Sequence, residues 1–297
     1  MSKRVYKSAE CEQKIMELYD EQVSKLGIQC DDVYVDTRFG KTHILKTGNP
    51  NGKPVILFQG GNSTSPYYLR NFLYLADKYM IYAPDTMGHP GKGAQTVLSA
   101  KNLDYGEWAS DVITGLGLSQ IICMGGSYGG GILTKLMCVS PEKISKAVML
   151  VPSGICNVST MNILIKLGIP MIAYLLTKSD RSLVKAILPM AVYESEIDED
   201  TIKMVKSAFD NVKVKAGMPS NVSESDIRNY KAPTMLIACE KDVLFPCKKV
   251  IARAKELIPD LRTYLMEGCG HLTNLLSDKN KHVLKMIEDF LEEETNQ

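Results

Sequence analysis

Apolar and polar positions alternate along this chain in two distinct rhythms. Residues 8–26 place Ile15, Leu18, Tyr19 and Leu26 on related faces, a helical spacing that Gly27 stops. Val33–Thr37 and Thr42–Lys46 flank Arg38-Phe39-Gly40-Lys41, which predicts an antiparallel hairpin. Continuous apolar runs follow at Pro54–Gln59, Tyr79–Ala83, Gln120–Met124 and Ala147–Val151, separated by helical stretches at 67–78, 106–117 and 132–138. Runs without alternation suit strands buried on both faces of a parallel sheet. The fold class expected is therefore α/β: a mostly parallel central sheet flanked by helices.

The rhythm changes at Pro152. From there to about Lys231 the spacing is helical throughout, at 161–176, 182–191 and 201–209. The acidic run Glu194–Asp200 reads as the solvated N-terminus of the last of these, favoured by the helix dipole. Strand-like runs resume at Thr234–Ala238 and Arg262–Leu265, each followed by a helix, at 247–257 and 280–293. The expected organisation is a core of residues 1–151 and 232–297 interrupted by a helical cap at 152–231.

Composition narrows the class. The 297 residues are 45% apolar and 23% charged, with 35 basic and 34 acidic side chains, a balance with no footprint for nucleic acid. The N-terminus lacks the apolar stretch of roughly 7 to 15 residues that an export signal needs. Ile163–Leu176, interrupted by Lys166, Gly168 and Pro170, falls short of a membrane span. Eight scattered cysteines, none in C-x-x-C spacing, are expected as reduced thiols in a cytoplasmic setting.

The chemistry centres on Gly125-Gly126-Ser127-Tyr128-Gly129. Alone, such a stretch is an ordinary glycine-rich turn. It also fits G-x-S-x-G, the strand-to-helix elbow that exposes a nucleophilic serine. A serine hydroxyl is scarcely ionised at neutral pH and needs a base, normally a histidine oriented by a carboxylate. Of four histidines, His43 lies in a predicted strand and His282 on a C-terminal helix, where structural or surface roles are expected. His271, in Glu267-Gly268-Cys269-Gly270-His271-Leu272, follows the last strand in a glycine-lined loop. Asp242, after the strand 234–238, is the best placed carboxylate, with Glu240 as its rival. Asp85 and His89 form too small a set for a metal site, and no metal or other cofactor is expected. Their loop is expected to support the site by hydrogen bonding.

These pieces together resemble the α/β-hydrolase superfamily over nearly all of the chain after residue 30. The resemblance rests on Leu57-Phe58-Gln59-Gly60-Gly61, the loop Ala83–Gly91, the serine elbow, the Asp242 loop and Gly270-His271. The opening hairpin is similar to that of bacterial carboxylesterase-type members. Two departures stand out: many relatives have histidine where this chain has Gln59 and Gly126. The resemblance implies an ester hydrolase acting on small or medium acyl groups through an acyl-enzyme. In it Ser127, His271 and Asp242 form the triad, and the backbone N–H groups of Gly61 and Tyr128 form the oxyanion hole. Asn62 is expected to substitute or assist there. Met161, Ile165, Met171, Tyr174 and Leu175 of the cap are candidates to line the substrate pocket, with core packing as the equal alternative for most of them. The partner implied is a small-molecule ester; a homodimer is left open, and neither nucleic acid nor a membrane span is expected. Thioester, amide or C–C hydrolysis with the same triad, and a non-catalytic receptor on the same fold, stand as alternatives.

Overall fold

The computed structural model describes residues 5–158, 168–213 and 217–294. Its strands are β1 (Asp31–Thr37), β2 (Gly40–Gly48), β3 (Lys53–Phe58), β4 (Tyr79–Pro84), β5 (Ile121–Gly126), β6 (Ile144–Leu150), β7 (Thr234–Cys239) and β8 (Leu261–Met266). They form one sheet in the order β1-β2-β4-β3-β5-β6-β7-β8. β2 runs antiparallel to β1 and β4, and all other pairings are parallel.

Side chains of successive strand residues point to opposite faces, so a fully apolar strand feeds two cores at once. Ile56, Phe58, Ile121 and Cys123 pack on one face with Trp108, Leu133 and Leu136. Val55, Leu57, Ile122 and Met124 pack on the other with Tyr19, Phe72 and Phe290. The helices that contribute to these two cores are α1 (Ala9–Lys25), α2 (Ser65–Leu69), α3 (Asp104–Gly115), α4 (Tyr128–Val139), α9 (Cys247–Leu257) and α10 (Lys281–Glu292). The helix predicted over 67–78 is instead the short α2 continued as a 3-10 turn, Arg70–Leu75. Asn71 Nδ2 donates to the Tyr68 carbonyl at 3.2 Å, and Ala76 and Lys78 N–H groups bond three residues back, tightening the winding.

Between β6 and β7 lie α5 (Ile169–Thr177), α6 (Asp180–Ala191), α7 (Glu199–Asn211) and the single turn α8 (Glu224–Ile227). This segment is tied to the core through α7. Arg70 donates to Asp198 at 2.9 Å and to Asp200 at 3.0 Å, and Lys25 on α1 also reaches Asp200 at 2.8 Å. The acidic run expected to be simply solvated thus includes two carboxylates that bind the inserted segment to the core and one, Glu196, that is buried. The physical reason is proximity to Arg70, whose guanidinium also stacks on Tyr67 at 4.4 Å. Further ties run from the N-terminal segment: Lys7 N–H to the Asn211 carbonyl at 2.9 Å and Lys213 N–H to the Val5 carbonyl at 2.7 Å. No helix among the described residues is long and apolar enough to cross a membrane.

Candidate active site

Ser127 stands between β5 and α4 with φ 52° and ψ −113°, a conformation L-residues seldom adopt. The turn holds because its backbone is pinned. Ser127 N–H donates to the Leu150 carbonyl at 2.9 Å, and its carbonyl accepts from Ser153 N–H and Oγ, both at 3.0 Å. It also holds because Gly129 has no side chain: a Cβ there would lie 1.9 Å from the Phe58 carbonyl oxygen. α4 therefore begins at Tyr128, well before the start at 132 that helix propensity suggests, since close backbone approach outweighs the poor propensity of three successive glycines.

His271 follows β8 and Asp242 follows β7, which brings both to the same edge of the sheet as Ser127. Asp242 Oδ1 accepts the N–H groups of Leu244 at 2.7 Å and Phe245 at 3.0 Å, which fixes its plane. Its Oδ2 lies 2.9 Å from His271 Nδ1, and His271 Nε2 lies 2.9 Å from Ser127 Oγ. A carboxylate only accepts, so Nδ1 donates; the neutral ring then accepts at Nε2 from the serine hydroxyl. The side chains of His271 and Asp242 are 5% and 1% exposed, so water competes little for this pair. Glu240, the rival carboxylate, is exposed and accepts the Gly268 N–H at 2.8 Å, bracing the histidine loop instead.

Gly60 and Gly61 lie against the elbow. A Cβ on Gly60 would sit 3.9 Å from Ser127 Cβ, and one on Gly61 would touch Tyr128 at 3.4 Å. Neither Gly61 N–H nor Tyr128 N–H bonds to another group among the described residues, whereas the Asn62 N–H donates to His89 Nδ1 at 2.9 Å. Two free donors thus flank the serine. Asn62 is committed to His89 through its backbone, with φ 54°.

A cavity of ≈ 470 Å³ opens over Ser127 and His271. Gly61, Asn62 and Tyr128 line it, together with Met171, Met190, Met204, Met218 and Met266. Of the residues expected to form its cap wall, Met171 does so. Tyr174 and Leu175 do not: Tyr174 is fully buried among Leu183, Ile187 and Phe209 with its hydroxyl on Asp210 at 2.9 Å, and Leu175 is 49% exposed. The turn of α5 sends Tyr174 toward α6 and α7 and Leu175 outward, so apolar character did not identify the cavity face. Met161 and Ile165 lie outside the described residues.

Several neighbours had no sequence signal. At Gly126 a Cβ would lie 2.7 Å from the Tyr68 hydroxyl, so Tyr68 occupies the space beside it. Met190 on α6 accepts the Leu272 N–H at 3.0 Å and leaves no room for a Cβ on Gly270, 2.2 Å from its carbonyl oxygen. His43 is fully buried between Asp85 at 2.8 Å and Asp32 at 2.7 Å. Burial opposes its charge, but the hydrogen bonds and charges of Asp85 and Asp32 outweigh it and raise its pKa. Asp85 also accepts from Tyr19 at 3.1 Å, Ser65 at 2.6 Å and Lys92 N–H at 2.7 Å, knitting the 85–92 loop to α1 and α2. Among the described residues no cluster of three or more His, Cys, Asp and Glu side chains could hold a metal ion.

Comparison with known proteins places this architecture. The family model described as the α/β hydrolase fold matches residues 53–175. The chain is similar to carboxylesterase YbfK of Bacillus subtilis, 23% identical over 291 residues covering 94% of this chain and 93% of that protein. It is 24% identical over 251 residues to 2-hydroxymuconate semialdehyde hydrolase of Pseudomonas putida, covering 82% and 88% of the two chains. Among solved structures, naproxen esterase (carboxylesterase NP) from Bacillus subtilis superposes with a TM-score of 0.80 at 21% identity, covering 96% of this chain and 99% of that one. By sequence match and by fold, the chain has the α/β-hydrolase fold and is similar to carboxylesterases that share it.

Proposed function

We propose that this protein hydrolyses carboxylic esters of small or medium acyl groups through an acyl-enzyme on Ser127. The observation that carries the reading is the continuous relay from Asp242 through His271 to Ser127, with 2.9 Å at each of its two links. Ser127 Oγ attacks the ester carbonyl carbon while His271 Nε2 takes its proton. His271 then returns that proton to the leaving alcohol as the C–O bond breaks. Asp242 holds the ring with Nε2 free to accept and stabilises the imidazolium that forms. The Gly61 and Tyr128 N–H groups receive the negative charge that develops on the carbonyl oxygen. Water, activated by the same imidazole, releases the acid and restores the serine.

The segment 152–231 serves as a cap domain over the site, and its methionines supply an adaptable apolar wall for the acyl chain. The names of the relatives support an ester as substrate. The Pseudomonas putida relative is named for a semialdehyde substrate rather than an ester, which leaves C–C bond hydrolysis by the same residues as a second reading.

A fluorophosphonate probe tests the nucleophile: labelling of the wild type and its loss in Ser127→Ala is the expected result. Labelling that persists in the variant refutes the assignment. A panel of p-nitrophenyl esters of increasing acyl length then measures kcat/KM. A Ser127-dependent rate that peaks at short or medium chains supports the proposal, and no turnover on any ester by protein that labels favours the second reading.

A further inference from the structure

The mechanism above leaves His89 unused, although the ring is 94% buried by its 6% exposure and lines the cavity. Its Nδ1 accepts the Asn62 backbone N–H at 2.9 Å. Its ring meets that of Tyr128 edge-on, with centroids 4.4 Å apart. Asn62 and Tyr128 are the two residues adjoining the proposed oxyanion donors: Asn62 follows Gly61, and Tyr128 itself carries the second N–H. Gly61 rests directly on the Tyr128 side chain. One imidazole therefore touches both walls of the oxyanion hole, which come from chain segments more than 60 residues apart in sequence.

We infer that His89 is the positioning residue of the oxyanion hole, holding the turn that aims the Gly61 N–H at the developing oxyanion. The inference rests on the esterase reading of Ser127. Asn62 sits at φ 54°, in the left-handed region that few non-glycine residues occupy and asparagine enters most readily, so a hydrogen bond to its N–H adds to a turn its side chain already tolerates. Its N–H bond to His89 fixes the plane of the peptide joining it to Gly61, and with it the end of the turn. The arrangement requires an unprotonated Nδ1, because two N–H groups cannot face each other. Burial supplies this by pushing the His89 pKa down to about 4, so the ring is neutral near pH 7. The backbone N–H of His89 donates to the Thr86 carbonyl at 3.0 Å, and Gly88 at φ 78° makes the tight turn that presents the ring, whose buried Nε2 has no partner among the described residues.

The test compares His89→Phe, which keeps the ring's bulk without an acceptor, with His89→Asn, whose Oδ1 falls near the place of Nδ1. A displaced oxyanion donor affects the transition state alone, so His89→Phe is expected to lower kcat by about 10- to 100-fold with KM within twofold. Inhibition by a trifluoromethyl ketone, whose serine adduct carries the oxyanion, should weaken by the same factor. Binding of the intact ester, measured in a Ser127→Ala background, should not change. His89→Asn is expected to retain kcat within tenfold of wild type. A merely structural role would weaken ester and ketone binding together, and that result overturns the inference, as does a His89→Phe enzyme with wild-type kcat. Should His89→Phe not fold, His89→Asn decides: kcat within tenfold with unaltered ketone affinity supports the inference, and a larger loss overturns it. If the wild type shows no Ser127-dependent hydrolysis, the esterase reading fails and this inference falls with it; if only the His89 results fail, the esterase reading stands.

Discussion

A buried neutral histidine makes stability depend on pH with a definite sign, and His89 allows the size to be worked out. Its folded pKa is about 4 against an ordinary value of about 6.5 in the unfolded chain. Between those values the unfolded state binds a proton that the folded state refuses, so acid favours unfolding. The stability is whole above pH 6.5 and is lost as pH falls toward 4. The difference amounts to ~2 kcal/mol at pH 5 and ~3 kcal/mol at pH 4. His43 works in the opposite sense: its raised pKa gives stability that is whole below pH ~6.5 and fades as pH rises through the folded value. The two histidines together favour the native state most near pH 6.5.

His89→Asn removes one term and leaves the other. Urea unfolding of wild type and variant at half-unit steps from pH 7 to pH 4 gives the difference in unfolding free energy at each pH. Carboxylate titrations and His43 are common to both proteins and cancel. Whatever the variant loses in packing at pH 7, the wild type is expected to lose ~3 kcal/mol relative to it on the way to pH 4. A difference that stays flat within ~0.5 kcal/mol would mean that His89 is protonated as easily in the fold as outside it, and the argument from burial would fail.

Three further outcomes follow from contacts at the site. Asp242→Asn should keep the fold, since its side-chain oxygen can still accept from Leu244 and Phe245. The amide disfavours the tautomer that leaves Nε2 free, so stopped-flow or steady-state kinetics should show kcat down by about 10³ to 10⁴. Gly129→Ala would drive a Cβ to 1.9 Å from the Phe58 oxygen, and thermal unfolding should show a loss of ~3 kcal/mol or more. Gly126→Ala meets the Tyr68 ring at 2.7–2.9 Å; combined with Tyr68→Leu, its destabilisation should shrink by ~1 kcal/mol in a double-mutant cycle, whereas strict additivity would argue against the contact.

The fold was legible because a sheet buried on both sides writes each strand as an unbroken apolar run, and β3, β5 and β7 carry that mark. Helix edges were less so. At α4 and at α2, close packing and a polar side chain decide the winding, and neither has a period. The glycines around Ser127 and His271 and the loops that follow β7 and β8 drew attention to the residues that the structure brings together. The loop of Asp85 and His89 was legible as a support of the site, but Tyr68 and Met190 were silent, because each acts through contact with a backbone 58 or 82 residues away, as in Tyr68–Gly126 and Met190–Leu272. Tyr174 and Leu175 were misjudged for a related reason. An apolar helix residue must face something, but only its neighbours determine whether that is a cavity, a core or solvent.

Met190 bears on how the site can move. Its carbonyl accepts the Leu272 N–H and stands 2.2 Å from where a side chain on Gly270 would begin, so the residues on both sides of His271 rest on the end of α6. Only glycine at 270 allows this approach. The inserted segment is therefore part of the scaffold that orients the imidazole. α7 is held as firmly, by Arg70 and Lys25 and by the backbone bonds of Lys7 and Lys213. A rigid swing of the whole segment would break these ties and remove the support that holds the His271 loop beside Ser127. The charged clasp and the Met190 contact thus hold the segment to the core between Met190 and Asp200, and the proposed catalytic geometry is preserved only in motions that leave both in place.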